Sequence, residues 1–181
     1  TSTNIIRMKG QKMDGSIQVY YGNGRGKTTA ALGLGIRAAG VGKQVIMVQF
    51  LKKKHSDTLD FLKKLEPELQ IFRFEKAACG YSDLSPKEKQ EQMLNIKNAL
   101  GYSRKVLDTG QCDLLILDEI FGLVDYNIIT IEELMDLIAV KKDSMDLILT
   151  GRNLPDEVRE IADCVYSIQR EKEKTPEILA Q

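Results

Sequence analysis

The feature that most restricts the fold of this chain is a glycine-rich turn between an apolar strand pattern and a helical pattern rich in alanine and leucine. The turn reads Gly22-Asn23-Gly24-Arg25-Gly26-Lys27-Thr28-Thr29. Its glycines let the backbone turn tightly and direct N–H groups inward as an anion nest, to which the following helix adds the positive end of its dipole. Lys27 can then contact phosphate oxygens, and the Thr28 hydroxyl can ligate Mg²⁺. The turn therefore predicts a P-loop that binds ATP and Mg²⁺.

This turn is shorter than the usual phosphate loop. The usual pattern has a glycine five residues before Gly26, where this sequence has Tyr21, and Gly22 comes one residue later. A glycine-rich turn without a ligand is the alternative, but turn chemistry alone does not explain Gly-Lys-Thr-Thr directly after a strand. The shortened loop predicts that the phosphates lie differently from those in an ordinary P-loop hydrolase.

Apolar strand patterns alternate with helical patterns along the chain. Strands are predicted at residues 16–21, 44–50, 69–74, 113–117, 145–149 and 164–168, and a helix at 27–39. Two capping boxes, Ser85 to Glu88 and Thr130 to Glu133, predict further helix starts. Because the strands are apolar on both faces, they predict an α/β fold whose mostly parallel central sheet is covered by helices on both faces. Residues 16–181 are predicted to form a single P-loop domain, and residues 1–15 a mobile N-terminal arm.

Two acidic residues, Asp118 and Glu119, directly follow the apolar run at residues 113–117. Ligands of open parallel sheets gather at the carboxyl ends of the strands, so both carboxylates are expected to face the phosphate loop and to hold Mg²⁺ directly or through water. Glu119 could polarise an attacking water in a hydrolase, or hold metal or orient a triphosphate in a transferase. The sequence leaves these roles open, and a solvated strand terminus is the alternative to both.

Composition narrows the classes of partner. The 26 basic and 26 acidic side chains balance, so no global charge attracts nucleic acid or a membrane. Three cysteines, Cys79, Cys112 and Cys164, lack the spacing of a metal site or a disulfide framework. No apolar run approaches the roughly 18 residues of a membrane span, and the N-terminus has no signal-peptide pattern. A cytoplasmic protein without nucleic-acid or membrane partners is expected.

Several motifs in order along the chain resemble the ATP:corrinoid adenosyltransferases of the CobA/CobO/BtuR type. The resemblance is carried by the short loop from Gly22 to Thr29 and by Arg37-Ala38-Ala39-Gly40, Val48-Gln49-Phe50-Leu51-Lys52, Leu117-Asp118-Glu119 and Thr150-Gly151-Arg152-Asn153-Leu154-Pro155. The short phosphate loop is itself a trait of this family. The resemblance implies a RecA-like fold, a homodimer and an electron-donor flavoprotein as partner.

The reaction that the resemblance implies transfers the 5′-deoxyadenosyl group of ATP to the cobalt of a reduced corrinoid and releases triphosphate. The loop from Gly22 to Thr29 would then bind all three phosphates as a leaving group, with Lys27 stabilising the developing charge. By resemblance, Arg37 and Arg152 contact the nucleotide, Thr28 and Glu119 bind metal, and Lys27 and Glu119 take part in the chemistry.

The sequence departs from the family pattern in the loop before the long helix. The family has a Phe and a Trp there, which pack against the corrin, whereas this chain has Cys79-Gly80-Tyr81-Ser82-Asp83 and no Trp. Tyr81 is predicted to replace the first aromatic residue as the corrin-binding one, and a plain loop anchor is the alternative. Two alternatives stay open: a P-loop ATPase or phosphotransferase, and a non-catalytic ATP-binding member of the fold. The basic run of Lys52 to Lys54 is predicted to be a solvated loop, and the alternative is contact with phosphate or with the amide periphery of the corrin.

Overall fold

The protein is an α/β domain in which strands and helices alternate along the chain. The computed structural model describes residues 15–52, 62–74 and 81–172. Its elements are β1 (Ile17–Tyr21), α1 (Lys27–Gly40), β2 (Val45–Gln49), β3 (Leu69–Arg73), α2 (Pro86–Thr109), β4 (Leu114–Asp118), α3 (Ile120–Asp125), α4 (Ile131–Ala139), β5 (Asp146–Gly151), α5 (Asp156–Ile161) and β6 (Cys164–Ser167). Two short 3₁₀ turns, Lys63–Leu65 and Tyr81–Asp83, lie before β3 and α2.

The strands form one six-stranded sheet in the order β3-β2-β4-β5-β1-β6, and every neighbouring pair is parallel. The sequence prediction of a parallel central sheet is therefore confirmed. Each predicted strand is present, with bounds shifted by up to two residues. Because all strands point the same way, the carboxyl ends of β1, β2, β4 and β5 meet at one edge of the sheet.

Apolar side chains cover both faces of the sheet, as the continuous apolar strand patterns predict. On one face Ala31 of α1 packs with Met47, Ile116 and Ile148 from three strands. The other face carries a larger core to which the remaining helices contribute, including Ile96, Leu107, Phe121, Leu134 and Val158. The predicted helices on both faces are confirmed, and β2 and β4 are buried along their entire lengths.

Both predicted capping boxes form. The Ser85 hydroxyl accepts from the Glu88 N–H at 3.4 Å while the Glu88 carboxylate accepts from the Ser85 N–H at 2.9 Å, and the Thr130 and Glu133 pair repeats the arrangement before α4. Residues 1–14 of the predicted arm lie outside the described residues. Gly15, its last residue, donates its N–H to the carbonyl of Asp143.

Candidate functional site

The phosphate loop leads from β1 directly into α1, as the sequence predicts. Gly22 and Gly26 adopt positive φ angles of 121° and 112°, and α1 begins at Lys27. The Lys27 ammonium donates hydrogen bonds to the carbonyls of Gly22 at 2.7 Å and Gly24 at 2.9 Å. Burial lowers the pKa of Lys27, and the Glu119 carboxylate opposes that shift. The lysine therefore lies folded over the loop at the positive end of the α1 dipole.

The segment after β6 packs against the phosphate loop and fixes its shape. The Gly24 N–H donates to the Ile168 carbonyl at 2.9 Å, and the Arg170 N–H donates to Asn23 Oδ1 at 3.1 Å. A Cβ atom at Gly22 or Gly24 would lie only 2.4 or 2.8 Å from the Ile168 carbonyl oxygen. These two glycines are therefore required by the close approach of a second backbone. Asn23 shapes the loop from its outer side.

Asp118 is a fully buried carboxylate at the end of β4, next to the phosphate loop. The Thr28 hydroxyl lies 2.9 and 3.0 Å from its two oxygens, Gln49 Nε2 donates at 3.0 Å and Thr150 Oγ1 donates at 2.7 Å. Lys52 Nζ adds an ion pair at 3.4 Å. Both oxygens of Asp118 therefore already accept hydrogen bonds. Of the two modes of metal contact that the sequence leaves open, direct and through water, this favours contact through water.

Glu119 follows Asp118 in a left-handed backbone conformation with φ of 63° and begins α3. Its N–H donates to the Thr150 hydroxyl at 2.8 Å, the same hydroxyl that donates to Asp118. The Glu119 side chain lines the phosphate cavity, whereas Asp118 lies behind it. The structure thus separates the two acids: one faces the cavity and the other organises the Thr28 side chain.

A cavity of about 340 Å³ opens over the phosphate loop. Its lining residues are Asn23, Gly24, Arg25, Gly26, Lys27, Thr28, Lys52, Glu119, Arg152 and Arg170. Five of these are cationic and one is acidic. A polar cavity with that excess of positive charge favours a polyanion such as a nucleotide triphosphate.

Arg152 connects this phosphate cavity to two neighbouring cavities. One contains Tyr21 and Leu154, and the other contains Glu119 and Tyr126. The Tyr81 ring packs against the Tyr126 ring, with 5.3 Å between the ring centroids. The predicted corrin-binding tyrosine therefore lies next to a residue that lines the second of these cavities. An elongated substrate that binds its phosphates at the loop can therefore extend past Arg152 in either direction.

Thr29 and Arg37, two predicted nucleotide-contacting residues of α1, do not line the phosphate cavity, and neither do the predicted residues Gly22, Tyr81 and Asp118. Arg37 is exposed in the last turn of α1, ten residues after Lys27, which corresponds to about 15 Å along a helix axis. Thr29 is exposed in the first turn of the same helix. Contact of Thr29 and Arg37 with the nucleotide therefore stays a prediction from the sequence and the family resemblance.

Sequence reasoning missed four residues of the site. Lys52 was predicted in a solvated loop, but its ammonium lies 3.1 Å from the Thr28 hydroxyl. Gln49 and Thr150, at the ends of β2 and β5, bind Asp118, and Arg170 reaches the cavity from beyond β6. For the residues at strand ends a signal exists, because polar side chains at the carboxyl ends of parallel strands gather at one edge.

Magnesium fits this site with few protein ligands. Among the described residues no group of three or more His, Cys, Asp or Glu side chains is placed to hold a metal ion. Mg²⁺ in nucleotide sites needs no such group, because it takes one or two protein oxygens together with substrate phosphates and waters. The Thr28 hydroxyl and the Glu119 carboxylate supply hard oxygen donors in the cavity, and Asp118 stands behind Thr28.

Within the described parts of the chain, no helix is long and apolar enough to cross a membrane.

Known proteins with related sequences cover most of this chain. Sequence similarity relates the chain to a corrinoid adenosyltransferase of Escherichia coli K12, 30% identical over 155 residues that cover 86% of this chain and 76% of the relative. It also relates the chain to the corrinoid adenosyltransferase CobA of Salmonella typhimurium, 30% identical over 88% of this chain and 79% of that protein.

A solved structure supports the fold. A KaiC-like protein of Pyrococcus horikoshii superposes with a TM-score of 0.59 at 19% identity, over 90% of this chain and 76% of that one. At this identity the likeness extends to the fold alone, and it supports the predicted α/β class. The sequence model of the family described as ATP:corrinoid adenosyltransferase BtuR/CobO/CobP matches residues 13–180. This match spans nearly the whole chain, which therefore belongs to the ATP:corrinoid adenosyltransferase family.

Proposed function

We propose that this enzyme transfers the 5′-deoxyadenosyl group of ATP to the cobalt of a reduced corrinoid and releases triphosphate from the cavity over the phosphate loop. The observation that carries the proposal is the convergence of five cationic side chains, Arg25, Lys27, Lys52, Arg152 and Arg170, on one cavity of about 340 Å³. In ATP hydrolysis the leaving group is ADP, whereas adenosyl transfer expels the whole triphosphate, so the transferase must stabilise more charge on its leaving group. The charge of the lining matches that demand.

The chemistry needs a polarised leaving group rather than a protein base. The Co(I) centre supplies the electron pair that forms the bond to C5′ of the ribose, and the electrons of the broken C5′–O bond leave with the triphosphate. Charge therefore grows on phosphate oxygens, where the loop N–H groups, Lys27 and Arg152 lie. Donors already held in place stabilise that charge without reorganising, which is the main source of rate acceleration in sites of this kind.

Mg²⁺ would neutralise phosphate charge when bound. For this role we propose Thr28 and Glu119 as the residues that contact it, with Asp118 acting through water. The Thr28 hydroxyl is oriented by its 2.9 Å contact with Asp118, which in turn is fixed by Gln49 and Thr150. Glu119 projects into the cavity from a backbone position locked by Thr150.

For the corrinoid we propose the cavity that Tyr126 shares with Glu119 and Arg152. Tyr81 was predicted as the single aromatic residue toward the corrin, and its ring packs 5.3 Å from that of Tyr126, which is 48% exposed. The pair offers an aromatic surface next to the cavity that Tyr126, Glu119 and Arg152 line. Tyr126, from the turn after α3, thus supplies the second ring that the loop sequence lacks.

We propose three further features: a homodimer and reduction of the corrinoid by an electron-donor flavoprotein, both from the family resemblance, and a cytoplasmic location, from the composition of the sequence. Sedimentation of the purified protein tests the first. A monomer at concentrations well above those used for activity would contradict it.

A direct assay tests the function. ATP, Mg²⁺ and chemically reduced cobalamin are mixed with the enzyme, the corrinoid spectrum is followed, and the phosphorus products are identified by NMR. An adenosylated corrinoid formed together with triphosphate is expected. Formation of ADP and phosphate would instead identify an ATPase or phosphotransferase, and nucleotide binding without any turnover would identify a non-catalytic member of the fold.

A further inference from the structure

Lys52 lies where a cation would sit between Thr28 and Asp118. Its Nζ atom is 3.1 Å from the Thr28 hydroxyl oxygen and 3.4 Å from Asp118 Oδ2. Asp118 is fully buried, while the Lys52 side chain keeps 29% of its surface exposed through the phosphate cavity. The Lys52 ammonium therefore supplies a positive charge next to the buried carboxylate.

The backbone directs Lys52 to this position. Phe50 extends the pairing of β2 with β4, since its N–H donates to the Asp118 carbonyl at 2.9 Å. Leu51 then adopts a left-handed conformation with φ of 55°. Its side chain lies over Gly122, where a Cβ atom would be only 2.6 Å from Leu51 Cδ1. The glycine on α3 thus accommodates the turn that aims Lys52 back at the edge of the sheet.

A divalent cation and this ammonium cannot share the site. Mg²⁺ binds oxygen at about 2.0–2.1 Å, and a ligating Thr28 oxygen would place it inside the hydrogen-bonding shell that Lys52 now fills. At such a distance the repulsion between Mg²⁺ and the ammonium exceeds the attraction between Lys52 and Asp118, because the metal carries two charges. The lysine must move when metal enters, and it lines the same cavity as Lys27 and Arg170.

We propose that Lys52 is a resident counter-ion of the metal site: it holds the cation position in the nucleotide-free enzyme and shifts its ammonium to the polyphosphate when metal and ATP bind. This inference rests on the proposed function, because it assigns Lys52 a second position on the phosphates of ATP. The lysine offsets the charge of Asp118 and deters metal binding without nucleotide.

Asp118 tolerates the departure of the lysine. Three shorter hydrogen bonds remain, from Thr28 at 2.9 Å, Gln49 at 3.0 Å and Thr150 at 2.7 Å. Gln49 is itself held, because its Oε1 accepts from Arg73 Nε at 2.7 Å. The buried carboxylate therefore stays hydrogen-bonded after the ammonium has moved, which is the condition for an exchangeable counter-ion.

Mn²⁺ binding to the nucleotide-free protein tests the proposal, with electron paramagnetic resonance reporting the free ion. Lys52→Met should bind Mn²⁺ about tenfold more tightly than the wild type, because one competing charge is gone. Its affinity for MgATP, measured by calorimetry, should fall about tenfold, because one charged phosphate donor is lost. Lys52→Arg keeps the charge and should retain the weak Mn²⁺ binding of the wild type.

Lys43→Met is the matched control. Lys43 forms an ion pair of 3.0 Å with Asp146 at the opposite edge of the sheet, so its loss should change neither affinity. Thermal unfolding checks that each variant is folded, and Lys52→Gln replaces Lys52→Met if the latter is not. Unchanged or weaker Mn²⁺ binding by the folded neutral variant overturns the proposal. Identification of the phosphorus products tests the proposed function separately, so either can fail while the other holds.

Discussion

Removing the Thr150 hydroxyl should destabilise the protein by much more than its size suggests. The residue is fully buried at the end of β5, and its Oγ1 donates to Asp118 at 2.7 Å while it accepts from the Glu119 N–H at 2.8 Å. Thr150→Val keeps the shape of the side chain and deletes both interactions. The substitution therefore isolates the polar contribution of one atom that joins the two acids of the site.

The magnitude follows from these two bonds. A hydrogen bond to a charged group contributes about 1.5–3 kcal/mol, and the part-buried Glu119 N–H without a partner costs a fraction of the about 1–3 kcal/mol of a fully buried one. Because the added methyl group of valine regains part of this by burial, we expect a net loss of about 3 kcal/mol. For a chain of 181 residues that corresponds to a fall in Tm of about 6–12 °C.

Urea unfolding followed by far-UV circular dichroism measures the loss of stability. Thr150→Ser is the control, since it retains the hydroxyl, loses one methyl group and should cost about 1 kcal/mol. The affinity for MgATP should also fall in Thr150→Val, because Asp118 loses a donor that orients it toward Thr28. If Thr150→Val is as stable as Thr150→Ser, the argument that this hydroxyl holds the two acids together is wrong.

Three other substitutions test the site. Lys27→Ala should abolish turnover and weaken ATP binding at least about tenfold, since it removes a charged phosphate donor; unchanged affinity in calorimetry would contradict this role. Gly24→Ala should lose stability and nucleotide affinity together, because its Cβ would lie 2.8 Å from the Ile168 carbonyl; a wild-type Tm would refute the close approach. Tyr126→Ala and Tyr81→Ala should each raise the KM for the corrinoid while the ATP affinity stays constant; equal losses for both substrates would indicate misfolding instead.

The sequence predicts the parts of the site that depend on local pattern. The glycine-rich loop, the capping boxes of α2 and α4 and the apolar strands that end at Asp118 all follow from residues close together in the chain. Strand bounds were shifted because pairing, rather than apolar character, sets where a strand ends. Thus Asp118 belongs to β4, although its side chain is polar.

The sequence alone does not predict the contacts that depend on tertiary packing. Arg170 reaches the phosphate cavity because the segment after β6 crosses the phosphate loop at Gly24. Arg170 and Gly24 are 146 positions apart in the sequence. No local pattern indicates that crossing. Lys52 was predicted to be solvated because a basic run after a strand usually is, and its approach to Asp118 depends on the left-handed turn at Leu51.

Backbone strain at the ends of two adjacent strands explains how this edge of the sheet became a site. Leu51 follows β2 and Glu119 follows β4, and both have left-handed conformations that cost a residue with a side chain roughly 1–2 kcal/mol. Such conformations persist only where the surroundings fix them. Gly122 leaves space for the first and the Thr150 hydroxyl binds the N–H of the second. Each turn delivers one charged side chain, Lys52 or Glu119, to the phosphate cavity, so the stability lost in the backbone places two opposite charges in the lining of one cavity.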